Sequence, residues 1–271
     1  MRSGRFVLPV GMVLVALGLG ACGNSPTSPT MLSLQAADDI AVQSAASLSG
    51  NSGGLMVELD AGAGSVPSNS APWRLGPGEP VGNFRAVSAE TTFTVGAVTF
   101  TVTRAFFDAE GTELPSYGPT ATRLRITTRA TGSIDTPHWD ASIGRASILD
   151  VTGIEAARDT LQFDGAGNDT AQAHFTSFDG AHERWFYALG SRSLDAVRLL
   201  KDRNANPWPL SGTARWDWVA DRLRSNNRED VEVHVTASVV ITFNGTANPD
   251  IVVNGSYRYH VNLATGEVTR A

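Results

Sequence analysis

Two imidazoles, a carboxylate and a guanidinium in the C-terminal part of the chain are the groups best suited by type to do chemistry: His234, His260, Asp217 and Arg258. Imidazole and carboxylate together can hold a divalent metal or move protons in acid and base steps. Their spacing unites them only through one sheet register. Val231, Val233, Val235, Ala237, Val239, Ile241 and Phe243 share one face of an alternating segment, with Glu232, His234, Thr236, Ser238 and Thr242 on the other. Ile251, Val253, Tyr257, Tyr259, Val261 and Leu263 repeat the pattern after a turn, Asn244 to Asp250, that contains Gly245 and Pro249. Pairing Phe243 with Ile251 sets His234 opposite His260, with Cβ atoms ~4.5 to 5.5 Å apart. A preceding strand with Ala214, Trp216, Trp218 and Ala220 on its apolar face then sets Asp217 opposite Thr236 and Arg215 opposite Ser238. The expected patch is Asp217, His234 and His260, with Arg258 beside it. A slip of two residues disperses it, and a polar sheet face turned to water carries the same residue types.

Other candidate sites are weaker in their chemistry. Asp202, Asn204 and Asn206 alternate as in a calcium loop, but Pro207 stands where a glycine is wanted and Thr213 where a closing glutamate is needed. A polar hairpin turn is the better reading of that stretch. The run DGAGND, Asp164 to Asp169, reads as a turn first and a cation loop second. No HExxH, GxSxG, phosphate-binding loop or dinucleotide fingerprint is present, so neither cofactor nor metal is expected. Two aromatic stripes, Trp216 with Trp218 and Trp185 with Tyr187, sit two residues apart on their strands. Such stripes line sugar or lipid grooves in some proteins and fill cores in more of them, so core is the expectation for both.

The elements that must position these residues are mostly strands. Residues 91–271 alternate with period two: Val98, Phe100 and Val102 against Thr99, Thr101 and Thr103, and Leu124, Ile126 and Thr128 against Arg123, Arg125 and Arg129. Further short strands are expected near 144–151, 158–163, 170–178, 183–189, 194–201 and 210–222. With no alternation of strands and long helices, the expected fold is mainly β, an antiparallel meandering sheet that is strongly curved or two-layered. Before it, residues 31–60 form a helical segment, with Ala37, Ile40, Ala41, Ala45 and Leu48 at helical spacing and Gly50 as a stop. Residues 61–90, with Pro67, Pro72, Pro77 and Pro80, read as a Pro/Gly-rich loop.

The first 21 residues differ in kind. Arg2 and Arg5 precede an apolar run from Phe6 to Leu19 that ends in small residues, the layout of a secretion signal. The run is shorter than the ~20 apolar residues a spanning helix needs, and Asn24, Ser25 and prolines follow it. Leu19, Gly20, Ala21 and Cys22 resemble the lipobox of bacterial lipoproteins. That resemblance implies diacylglycerol transfer to the Cys22 sulfur, cleavage after Ala21 and acylation of the new amino terminus. It also implies, from Gly23 in place of an aspartate, sorting to the outer membrane in a host with two membranes. Cys22 is the only cysteine, so no internal disulfide can form and no other thiol is available for catalysis. Residues 22–30 then read as a lipidated tether, whose Pro, Ser and Thr spacer reaches roughly 25 Å at ~3.1 Å per residue.

Composition agrees. Without residues 1–21 the chain holds 19 basic against 27 acidic side chains, a formal charge of −8 that disfavours nucleic acid and anionic lipid as partners. The expected function is that of an exported, lipid-anchored cell-envelope lipoprotein of non-catalytic type, a ligand-binding or assembly module. Its expected partners are the bilayer, through acylated Cys22, and an envelope protein or small ligand. The alternative is an envelope hydrolase or metal-dependent enzyme built on Asp217, His234 and His260.

Overall fold

The computed structural model describes residues 32–66, 89–136, 139–176, 183–226 and 229–271. The signal, Cys22, the tether and most of the Pro/Gly-rich loop lie outside the described residues. The rest is mainly β, as the alternation requires: one antiparallel sheet of twelve strands with two helices against one face. The strands are β1 (Glu90–Val95), β2 (Val98–Phe107), β3 (Glu113–Leu114), β4 (Arg123–Thr136), β5 (Trp139–Thr152), β6 (Thr160–Thr176), β7 (Glu183–Leu200), β8 (Ser211–Asn226), β9 (Glu229–Thr242), β10 (Asp250–Val253), β11 (Tyr257–Val261) and β12 (Val268–Arg270). Neighbours in the chain are neighbours in the sheet, except that the short β3 pairs only with β2. Of the two forms expected, the single sheet is the one found. It remains open, with β1 and β12 as its edges.

Two helices precede the sheet. Helix α1 (Leu34–Leu48) starts where Ser33 caps it, its side chain accepting from the Ala36 N–H at 3.2 Å. It is buried nearly all round, polar Asp39, Gln43, Ser44 and Ser47 included, and so is not the one-sided amphipathic helix that its alanine spacing suggests. The sheet curves about it. Trp218 of β8 donates to Ser44 at 3.0 Å, Arg184 of β7 to Asp39 at 3.1 Å, Arg145 of β5 to the Ala46 carbonyl at 3.1 Å and Tyr259 of β11 to Asp38 at 2.9 Å. Helix α2 (Leu55–Ala63) runs three residues into the stretch expected to be loop. There Gly62 takes its place because a Cβ would fall 2.4 Å from Ile126 and 2.7 Å from Phe163.

The strands are longer than expected and absorb two of the expected turns. DGAGND is not a turn or a cation loop but the middle of β6, and the gap left between the expected strands 183–189 and 194–201 lies inside β7. A register shift between Phe163 and Gly165 marks a bulge, closed by the Ala196 N–H donating to Asp164 Oδ1 at 2.7 Å. Gly190 is in a strand because Trp218 lies across it, 2.6 Å from where a Cβ would stand. DRNANP is the connection between β7 and β8, with Asp202 and Asn206 accepting from the backbone two residues on, as a polar turn should.

Candidate functional site

The expected Asp217, His234 and His260 patch does not assemble. β8 pairs with β9 two residues away from the expected register, so Asp217 faces Ser238 and His234 faces Asp221. The segment 251–263 is not one strand either: it folds back at Asn254 and Gly255, both at positive φ, so β10 pairs with β9 and β11 with β10. An Asn-Gly pair is the strongest short hairpin signal, and the single-strand reading passes over it. His260 consequently lies opposite Asp250, and Arg258 opposite Val252. By register His260 is level with Thr242, eight residues from His234, or ~26 Å along the strands. Asp217 is occupied by Arg215 at 2.9 Å, whose hydrogen bond holds its carboxyl below the ordinary range. Among the described residues no three His, Cys, Asp or Glu side chains gather as a metal site.

His234, His260 and a third histidine, His174 of β6, each lie against an aspartate across a strand boundary. His174 and Asp140 are 3.1 Å apart, His234 and Asp221 2.7 Å, and His260 and Asp250 2.9 Å. All three pairs are direct register partners. Two of them flank the second aromatic stripe, on the sheet face away from the helices. One register row reads Asp135, Asp140, His174, Trp185 across β4 to β7. The next reads Ser142, Gln172, Tyr187, Asp221, His234 across β5 to β9, and a third contains Leu189 beside Val219. Trp185, Tyr187, Leu189 and Val219 are 43–45% exposed, whereas Trp216 and Trp218 are 0–1% exposed and belong to the core. The core expectation thus fits one stripe and fails for the other. The His174 ring lies tilted by 32° against that of Trp185, with ring centres 5.0 Å apart.

This outer surface is the candidate site, because an exposed apolar cluster bordered by polar groups marks a place where something docks. Chemically it offers exposed aromatic side chains, the half-exposed carboxylates of Asp140 and Asp221 and the exposed His234 imidazole. Aromatic side chains at i and i+2 of a strand stand ~6.6 Å apart, a spacing that presents a broad shallow platform.

The inner face of the same strands holds charges that the sequence reading missed. Glu58 of α2 accepts from Arg192 of β7 at 2.8 and 3.0 Å and from Ser147 of β5 at 2.6 Å. Asp169 of β6 accepts from the Trp216 indole at 2.5 Å and lies 3.6 Å from Arg145 and 3.9 Å from Arg192. Arg145 also donates to the Ser52 and Gly53 carbonyls. Burial opposes the Arg192 charge most strongly, yet Glu58 and Asp169 together hold its pKa above the ordinary value. For Arg145 burial wins and pushes the pKa down. The available signal was strand parity: Arg145, Ser147, Asp169 and Arg192 share the side of their strands that faces inward with Trp216.

No family model, no curated protein and no solved structure matches the chain.

Proposed function

We propose that this protein is an exported envelope lipoprotein, anchored through acylated Cys22, whose β domain is a non-catalytic binding module. The observation that carries the anchor is the run Leu19-Gly20-Ala21-Cys22, closing an apolar segment and containing the chain's only cysteine. Two or more acyl chains give stable membrane attachment where one gives only reversible binding. The binding role is supported by the exposed stripe Trp185, Tyr187, Leu189 and Val219, which costs solubility and contributes nothing to the core. The enzymatic alternative loses its residues, since Asp217, His234 and His260 are dispersed.

The test is expression of the full chain in a bacterium with two membranes, grown with labelled palmitate. Label in the protein, lost on Cys22→Ser together with retention in the outer-membrane fraction, is the expected result. An unlabelled chain, or one that Cys22→Ser leaves on the membrane, overturns the anchor.

A further inference from the structure

The outer face of the sheet contains the same ingredients at two ends, and only one end is complete. At the end near β3, the Phe107 ring is covered by the Arg123 guanidinium at 4.6 Å and that of Arg125 at 5.8 Å. Arg125 in turn grips Asp150 with two bonds, Nε at 2.9 Å and Nη2 at 3.0 Å. Aromatic ring, guanidinium and carboxylate thus form a closed set, the arrangement for which planar guanidinium is suited.

At the other end, among the described residues, the rings and the carboxylates stand in the same rows without a guanidinium. Trp185 and Tyr187 stand exposed, with Asp140 and Asp221 within one or two strands of them in the same register rows. Asp135 faces Asp140 directly across β4 and β5, and like charges so placed repel. Among the described residues, the three outer rows from Asp135 to Val219 contain no arginine or lysine side chain. His174 lies 3.1 Å from Asp140 Oδ2 and His234 2.7 Å from Asp221 Oδ1, while the Asp140 and Asp221 side chains are 60% and 50% exposed.

From this complementarity we infer that the face around Trp185 and Tyr187 docks a cationic, arginine-bearing segment of a partner protein. The guanidinium stacks on Trp185 or Tyr187 and bridges to Asp140 or Asp221, supplying what Arg123 and Arg125 supply at the other end. A cation between Asp135 and Asp140 also relieves their repulsion. The acidity of this face argues against an anionic lipid surface, and Leu189 with Val219 gives the apolar part of the segment a seat. The inference builds on the binding-module half of the proposed function and is independent of the anchor.

The experiment is calorimetric titration of the full chain, solubilised in a neutral detergent at low salt, with hexa-arginine, hexa-lysine, a neutral polysaccharide and zwitterionic lipid vesicles. Hexa-arginine is expected to bind about tenfold more tightly than hexa-lysine, which lacks the planar stack. Trp185→Ala should weaken it about threefold and Asp140→Asn about threefold to tenfold. Asp250→Asn removes the same charge from an Asp–His pair with no exposed aromatic residue beside it and should leave binding unchanged. Equal binding of the two peptides, an equal loss on Asp250→Asn, or binding of polysaccharide or vesicles with none of hexa-arginine overturns the inference. Because the titration is done in detergent, failure of palmitate labelling and failure of peptide binding remain separate results.

Discussion

Strands β5 to β8 carry charge on both faces, and the two faces treat it differently. Inward, Arg145, Asp169 and Arg192 are buried with Glu58 of α2, and they join helix to sheet. Outward, Asp140 pairs with His174 across the same β5/β6 boundary as Arg145 and Asp169, and Asp221 with His234 across β8/β9. The register is common to both sets; the surrounding dielectric is not. A buried pair is weak evidence of net stabilisation, but removing one partner strands the other charge in the core. An exposed pair is screened and contributes between nothing and about 1 kcal/mol. The inner charges therefore join the helices to the sheet, while the outer ones contribute little to stability.

The largest effect expected from this contrast follows Glu58→Ala, which leaves Arg192 buried without its hydrogen-bonded carboxylate. A loss of about 3–5 kcal/mol in urea unfolding is expected. Glu58→Leu combined with Arg192→Met should recover much of it, because an apolar pair of similar volume escapes the desolvation cost. A cost under ~1 kcal/mol for Glu58→Ala would erase the distinction between the faces.

Next in size is Gly190→Ala. Its new Cβ would meet the Trp218 ring at 2.6 Å, and Trp218 is fixed on its far side by Ser44 of α1. Overpacking of this kind costs about 1–3 kcal/mol. Near-UV circular dichroism of the tryptophans should change with it, since the ring has to move.

A smaller loss is expected where α1 meets the C-terminal strands. Tyr259 donates to Asp38, which Arg270 also holds at 2.7 and 2.9 Å. Burial first, and then the bond to Asp38, raise the Tyr259 pKa above its ordinary 10.0. The folded state thus holds this proton more tightly than the unfolded chain. The resulting stabilisation is complete below pH 10 and is lost as pH rises toward the folded value. Tyr259→Phe should cost about 1 kcal/mol at neutral pH through the lost hydrogen bond. It should also flatten the decline of stability above pH 10, measured by thermal melts across that range.

Much of the fold was legible because burial on one side leaves a simple trace. The alternation in β2, β4, β8 and β9 follows from it. What was illegible came from close contacts between distant residues. Gly165, Gly167 and Gly190 resemble turn signals in sequence, yet each lies where neighbouring backbone or a large side chain leaves no space for a Cβ. Asp169 reads as part of a polar turn because its partners, Trp216 and Arg145, are far away in the chain. The candidate patch failed for a different reason: register slips by two preserve every in-and-out assignment, so hydrophobic pattern alone could not exclude them. The exposed Trp185 stripe was equally ambiguous, because parity assigns a face but does not say which face the helices cover.

The smallest expected effects lie on the outer rows, and there the sign matters more than the size. His234→Ala should change stability by no more than about 0.5 kcal/mol, as an exposed pair is lost. Asp135→Asn should go the other way, since it removes a carboxylate that faces Asp140. A gain of about 0.2–0.5 kcal/mol is expected for relief of like charges directly opposite on a sheet. The gain should shrink as salt is added, because both groups are exposed and screening weakens their repulsion. Paired urea melts at low and high salt would read both quantities. If Asp135→Asn destabilises instead, Asp135 already has a cationic partner within the chain, and the contrast between the complete and incomplete ends of the outer face disappears.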